Sequence, residues 1–535
     1  MIVRKRLFAG LLITVLLFGA TSLYARGQAD EAVADMPVTL TYWIQLHSDA
    51  ARVLDNFAEN LGYQKIMDIT GINVEFIHPP QGQETEQFNL LIASGDLPDM
   101  MVDHNYPGGP DRAIEDGVYL RLNELIDEHA PNYARVRDSR VPDEIAHLQA
   151  ITDTTGEIAN QTMTDAGNVW AFTMIQPELQ LPWFGPAIRA DWLEELNLDV
   201  PSTMDEWEVM LRAFRDEKGA EAPLSLISNL GFGSYGLFTG AFGFGGYGWT
   251  GNEHFYRDGG QIFYAPLETG FRQYLELMNR WYDEELLDPD FPTRDWDGQI
   301  ALQTGGGAGA WSASYGSHID AHLVAMRDHP TYAIVAAPYP SLNPGEVPRM
   351  REQGFYNQGY NTVVTTSSRN PEKAVQWLDF GYSAEGYMIY NWGIEGLSYE
   401  MVDGQPQFTD LVANNPDGLP YSQAIWKYKM HVGSYLRDWR SVPPWRPEVV
   451  HAMEVWSEAE AELNLPMITF TPAESRELSG IMSDINTFVD ERTVRFIVGV
   501  DSFDTYDAFV DQVRRMNIDR AIEIYQTALD RYMER

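Results

Sequence analysis

The chain has 535 residues, 44% apolar and 21% charged, which suits roughly two to four domains or two large lobes and excludes a disordered, collagen-like or polytopic membrane chain. Its net charge is 37 − 78 = −41 at pH 7; so acidic a chain repels phosphate backbones, which argues against nucleic acid as a partner. Cysteine is absent, which removes disulfides, thiolate metal sites, iron–sulfur clusters, thiol nucleophiles and acylation of an N-terminal cysteine.

Residues 1–25 read as a secretory signal peptide. Arg4, Lys5 and Arg6 precede a 14-residue apolar run, Leu7–Ala20, and Ala25 offers a small residue at the cleavage site. The run is short for a bilayer span of ~20 residues. Cleavage removes three positive charges and leaves 34 − 78 = −44, so the expected product is soluble in the periplasm or secreted. Residues 26–36 are small and polar and read as a flexible leader. Strand signals at Val38–Ile44, Ile72–Ile77 and Met100–Val102 alternate with helical patterns at Val53–Thr70 and Glu86–Ser94, which Gly71 and Gly95 end. That order predicts a parallel α/β sheet with its ligands at the carboxyl ends of the strands. A helix follows at Leu120–His129. The middle of the chain is helical at Ala190–Leu196, then from a capping box at Thr203 and Glu206, then at Phe271–Leu287. Strand-like stretches occur at Tyr332–Ala337 and Asn361–Thr366. Pro371 opens a further helix, and two helices, Tyr506–Met516 and Ile518–Met533, close the chain.

Gly231–Gly251 is the one low-complexity tract, with nine glycines and seven aromatics in 21 residues. It either presents rings to a ligand or fills a structural insertion. Its two GxGxxG matches lack the following helix that a dinucleotide site needs. No cofactor and no metal site is expected. His318 and His322, at i and i+4, read as a surface pair, since Ile319 stands where a zincin motif carries glutamate. The chain contains no GxSxG, so a nucleophile elbow is not supported. Aromatics carry the strongest chemical signal: 15 Trp, 27 Tyr and 24 Phe, with Trp43, Trp183, Trp249, Trp311, Trp392, Trp439 and Trp445 where loops are expected. Sugar rings offer an apolar C–H face to such rings and hydroxyls to carboxylates, amides and Arg. A secreted glycosidase would use the same residue types, with two carboxylates about 5–10 Å apart.

Several segments, taken in order, carry a family resemblance. They are FNLLIASGDLPDM (Phe88–Met100), IRADWLEELNLDVPSTMDEWEVMLRAF (Ile188–Phe214), YLELMNRWYDEELLDPDF (Tyr274–Phe291), NWGIEGLSYE (Asn391–Glu400) and the stretch Val489–Tyr532. The chain resembles the extracellular solute-binding proteins (family 1) of ABC importers, in their long, oligosaccharide-associated, lipoprotein-like branch. Glu285 stands at a position that is glycine in that pattern, and Arg215–Pro223 is shorter than the branch's calcium-loop-like insert. The resemblance implies an α/β fold of two lobes of the type II periplasmic binding-protein kind, each a mostly parallel sheet flanked by helices, hinge-connected. The lobes are expected at 37–165 with 346–395 and at 166–345 with 396–535.

It also implies a monomeric, non-enzymatic receptor that binds a carbohydrate, an oligosaccharide by family expectation, between its lobes and delivers it to the transmembrane subunits of an ABC permease. A sensor role and a polysaccharide-active enzyme are the alternatives. The expected ligand contacts are Trp43, Gln45 and His47 after the first strand, Asp103 and His104 after the third, and Trp249, Trp311 and Tyr315 from the other lobe. Trp311 and Tyr315 follow the glycine run Gly305–Gly307, where such binding proteins place an aromatic; Trp392 and Glu395 complete the set.

Overall fold

A computed structural model describes residues 38–138, 157–177, 182–226, 236–245, 254–352, 354–442 and 446–534. Thr39–Arg535 cluster as one unit; of the other, Met1–Val38, only Val38 is described, so the expected signal peptide and leader lie outside the described residues. No helix among the described residues is long and apolar enough to cross a membrane.

The strands are β1 (Thr39–Trp43), β2 (Asn73–Ile77), β3 (Met100–Val102), β4 (Phe184–Arg189), β5 (Leu224–Ser225), β6 (Phe255–Asp258), β7 (Gln261–Tyr264), β8 (Ala310–Ser314), β9 (Ile334–Ala336), β10 (Thr362–Val364), β11 (Tyr399–Val402) and β12 (Gln405–Phe408). They form a first sheet in the order β10-β3-β1-β2, a second in the order β5-β8-β4-β9, and the hairpins β6–β7 and β11–β12. In β2 the alternation N-V-E-F-I puts Val74 and Phe76 inside and Asn73, Glu75 and Ile77 outside. The intervening helix Leu61–Thr70 begins where Asn60 accepts from the backbone of Gly62 and Tyr63, and ends at Gly71, whose φ of 66° suits glycine. Asp99, in the SGDLPD turn, locks the first sheet together. One carboxylate oxygen accepts from Thr41 N and Oγ1, both at 2.9 Å, and the other from Ser368 Oγ at 2.7 Å.

Each sheet has three strands of one direction and one reversed strand. In the first, β1 runs parallel to β2 and β3, and β10 is antiparallel at the edge. In the second, β5 and β8 are parallel, and β4 lies antiparallel between β8 and β9. The expected mostly parallel sheet therefore describes strand direction, but in the second sheet only one of the three pairings is parallel. The physical reason is common to both sheets. The reversed strand is the one by which the chain arrives from the other sheet, so it must enter at the edge where its neighbours end. That brings the carboxyl ends of β1, β3 and β8 and the amino ends of β10 and β4 to the same crossing region.

The second sheet carries the larger core. Helix Met204–Lys218, opened by the expected capping box of Thr203 and Glu206, buries Trp207 and Phe214. Phe238, from the described part of the glycine–aromatic tract, packs edge-on against Trp207 at 5.2 Å and Trp281 at 5.7 Å. This part of the tract is core filling. The 26-residue helix Pro472–Ile497 and helix Ile518–Met533 close the same core, with Phe255 stacked on Tyr525 at 3.8 Å. His318 and His322, read as a surface pair, are both fully buried instead, their rings 5.6 Å apart beneath Trp311. Burial holds both imidazoles below their usual range, His322 at about 4.

Residues 421–442 were expected with the second lobe, but their hydrogen bonds tie them to the first sheet's layer. Asn60 Nδ2 donates to the carbonyls of Trp426 and Lys429 at 2.9 Å, and Tyr63 OH to that of Val432 at 3.1 Å.

Glu285 is exposed and left-handed, with φ of 56°, at the end of helix Thr269–Asp283. Its backbone geometry explains why glycine suits this turn. We expect Glu285→Gly to be more stable than Glu285→Ala by about 1 kcal/mol in urea denaturation, the reverse of the order in a helix interior. Equal stabilities would contradict this backbone assignment.

Candidate ligand-binding site

Three crossing segments lie edge to edge between the two sheets. Phe172 and Thr362 exchange backbone bonds at 2.9 and 2.7 Å; Gln358 N donates to Met174 O at 2.8 Å and Gln176 N to Tyr356 O at 2.8 Å. On the other flank, Ile175 N donates to Tyr435 O at 2.9 Å, and Arg437 N to Ile175 O at 2.7 Å. The parallel bridge between Ile175 and Leu436 sets the register, so the next residues along, Gln176 and Arg437, project from the same face. Gln176 is 1% exposed and, among the described residues, neither end of its carboxamide has a partner; Arg437 is 3% exposed, and its Nε and Nη2 have none there either.

The chain enters the second sheet at Trp183. The indole lies under the Arg437 guanidinium, 4.7 Å from the ring centroid, and beside Tyr315 at 5.5 Å. Trp183 N donates to Glu352 Oε2 at 2.6 Å. Burial pushes the Glu352 carboxyl up to about 7, from an ordinary value of 4.5. The Tyr315–Asp320 turn that follows β8 is a π-helix, an element that recurs at functional sites.

On the first-sheet side, Gln45 Nε2 donates to Glu84 Oε1 at 3.0 Å, and His104 sits edge-on to Trp43 at 5.2 Å. His47 stacks on Trp426 at 5.3 Å. Burial lowers the pKa of both His47 and His104, so both are held neutral near pH 7. Neutral imidazoles, amides and half-buried rings at strand ends are the groups that polar, ring-shaped solutes use.

Residues 55–388, more than half of the chain, match the model of the bacterial extracellular solute-binding proteins. The chain belongs to that family. A fructooligosaccharide ABC transporter substrate-binding protein of Streptococcus pneumoniae is 23% identical over 511 residues, 89% of this chain and 87% of that protein. A polygalacturonan/rhamnogalacturonan-binding protein of Bacillus subtilis is 21% identical over 480 residues, 87% of each chain. Among solved structures, that of the alginate-binding protein AlgQ2 without calcium ion superimposes with a TM-score of 0.76 at 21% identity, covering 93% of this chain and 98% of that one. Its fold is thus the two-domain α/β fold of solute-binding proteins.

Within this solute-binding protein, Gln45, His47, His104 and Tyr315 lie at the strand ends that face the crossing segments. Asp103 lies there too, but its carboxylate is engaged by Tyr119 OH at 2.5 Å and by the backbone of Asn105 and Tyr106, so it shapes the loop. Trp43 is buried in the first core against Phe88, although it lies on the face of β1 opposite to Leu40 and Tyr42. Trp311, expected at the site, is fully buried in the second core instead, since its place in the middle of β8 turns it toward His322. Trp392 packs on Phe408 beneath the β11–β12 hairpin, and Glu395 is exposed in the turn before β11. Trp249 lies outside the described residues. Sequence reading missed Gln176, Glu352 and Arg437. Trp183 was visible only as one loop tryptophan among several.

Trp311→Ala should act on stability, costing about 3–5 kcal/mol in chemical denaturation; a fully stable variant would place this ring outside the core. A second expectation concerns Glu352. Its folded pKa lies above the unfolded one, so folding takes up a proton between about pH 4.5 and 7, and stability falls as pH rises through that window. Glu352→Gln, which keeps the acceptor for Trp183 N, should therefore gain stability relative to the parent on going from about pH 5 to about pH 8 in melting experiments. A difference constant with pH would contradict the burial of this carboxyl.

Proposed function

We propose that the protein is the extracytoplasmic receptor of an ABC importer, which grips a carbohydrate, an oligosaccharide in the main reading, at the crossing segments and hands it unchanged to a membrane permease. One lobe is built on the first sheet and includes residues 421–442, and the other is built on the second. Family membership carries the receptor role. The carbohydrate class is supported by the named ligands of the relatives above and by the ring-and-amide chemistry at the strand ends. The proposed contacts are Gln45, His47, His104 and Tyr315, joined by Trp183 and Gln176. Trp183 offers a face to a sugar ring, and the Gln176 carboxamide can both donate to and accept from a hydroxyl. Closure would be stabilised only by a ligand that touches both lobes, so occupancy sets the shape the permease reads.

A ligand that binds only the folded state adds about 2.7 kcal/mol at a hundredfold excess over its Kd. A thermal-shift screen of neutral and acidic oligosaccharides should therefore give a clear rise in Tm for at least one of them. Chromatography of the recovered ligand should show it intact. Trp183→Ala should weaken calorimetric affinity for it by about tenfold, the worth of one aromatic contact. Catalytic shortening of the saccharide, or no binding by any of them, would overturn the reading.

A further inference from the structure

Arg437 is a buried cation without an anion. No carboxylate among the described residues lies within ion-pair distance of its guanidinium, whose only hydrogen bond is from Nη1 to Gln358 Oε1, at 3.4 Å. The adjacent Asp438 faces elsewhere: it accepts from Arg440 and from Tyr387 OH. Glu352 takes the backbone of Trp183. The other basic groups nearby supply no counter-charge. Lys429 is buried, and among the described residues its ammonium donates to neutral oxygens alone, those of Asn391 and Ser441. His431 packs on Trp426 at 5.2 Å, and its Nδ1 has no partner among the described residues. Both Lys429 and His431 are pushed toward their neutral forms, first by burial; neighbouring positive charge adds to it, that of Arg437 at Lys429 and those of Lys429 and Arg437 at His431. In a chain with 78 acidic residues, an unpaired buried guanidinium is an exception that calls for a partner.

The two unpartnered nitrogens, Nε and Nη2, form one edge of the guanidinium fork, the edge that matches a carboxylate at two points. Trp183 fixes the plane of that fork from one side, and Gln176, from the same strand face, adds a free amide donor. We propose that the saccharide bound at the crossing segments is acidic, and that the Nε/Nη2 edge of Arg437 clamps its carboxylate with the Gln176 amide as a third donor. The inference rests on the carbohydrate-receptor reading and narrows it to uronate-containing oligosaccharides.

The test uses the mature protein and calorimetry with oligogalacturonate, oligomannuronate and oligoguluronate, the methyl ester of each, and neutral fructo- and galacto-oligosaccharides. At least one uronate oligomer should bind about tenfold or more tightly than its own methyl ester, with an affinity that falls as salt is raised. Arg437→Gln should abolish that preference, weakening the uronate oligomer about tenfold more than its methyl ester, and Arg437→Lys should restore it only in part. The Tm of unliganded Arg437→Gln should equal or exceed that of the parent, since a buried unpaired charge has been removed. Tightest binding of a neutral saccharide, or an acid preference that survives Arg437→Gln, would overturn the inference and leave the receptor reading standing. A markedly lower Tm for unliganded Arg437→Gln would assign the guanidinium to the fold and overturn it as well. Failure of every saccharide to bind would overturn both.

Discussion

The backbone hydrogen bonds that hold residues 172–176, 356–362 and 434–437 side by side are the constraint on which the rest of the structure depends. They oblige the chain to enter each sheet through a reversed strand, β10 in one and β4 in the other. That obligation turns the carboxyl ends of the remaining strands toward the crossing point. The same bonds fix the register that sets Gln176 beside Arg437 and delivers Trp183 beneath the guanidinium. Gly359 and Tyr360, with φ of 84° and 52°, lie in the middle segment just before β10. A non-glycine residue held left-handed at such a junction is the kind of local strain that collects at moving or binding parts of proteins.

Around this frame the polar chemistry divides by degree of satisfaction. Asp99, Asp103 and Asn60 direct their hydrogen bonds to the fold, tying β1, the loop after β3 and the 421–442 segment in place. Gln176 and Arg437 are more deeply buried than the two carboxylates but leave donors and acceptors uncommitted among the described residues. Buried polar groups without partners are costly, so a fold that keeps two of them adjacent does so for something other than stability. The strongly negative surface is no obstacle to an acidic guest at this depth, because long-range repulsion is screened within about 10 Å in ordinary salt while a buried two-point contact is not.

Much of the fold was legible in the sequence because it is written in local rules. The Gly71 and Gly95 stops both fall at left-handed C-caps, the Thr203–Glu206 capping box is present, and Ile518–Met533 has the expected bounds. Glu285 at a glycine position was legible as an oddity and proved to be a left-handed residue. Helix Pro472–Ile497 escaped because its apolar positions are sparse and its packing is decided by distant partners. The site was read less well, for two physical reasons. Loop position does not distinguish a tryptophan that lines a strand end, such as Trp183, from one that fills a core, such as Trp311. Gln176, Glu352 and Arg437 sit in irregular crossing segments whose pairing joins residues some 180 to 260 positions apart, as with Ile175, Asn357 and Leu436, and no local pattern marks such a meeting.

The central claim is that a saccharide binds where the three crossing segments meet the strand ends of both sheets. The most direct measurement is a crystal structure of the protein with the tightest-binding oligosaccharide. The account predicts a sugar ring against Trp183 and ligand oxygens within hydrogen-bond distance of Gln176 and of the strand-end residues Gln45 or His104. A saccharide seated anywhere else, with Trp183 and Gln176 untouched, would contradict it.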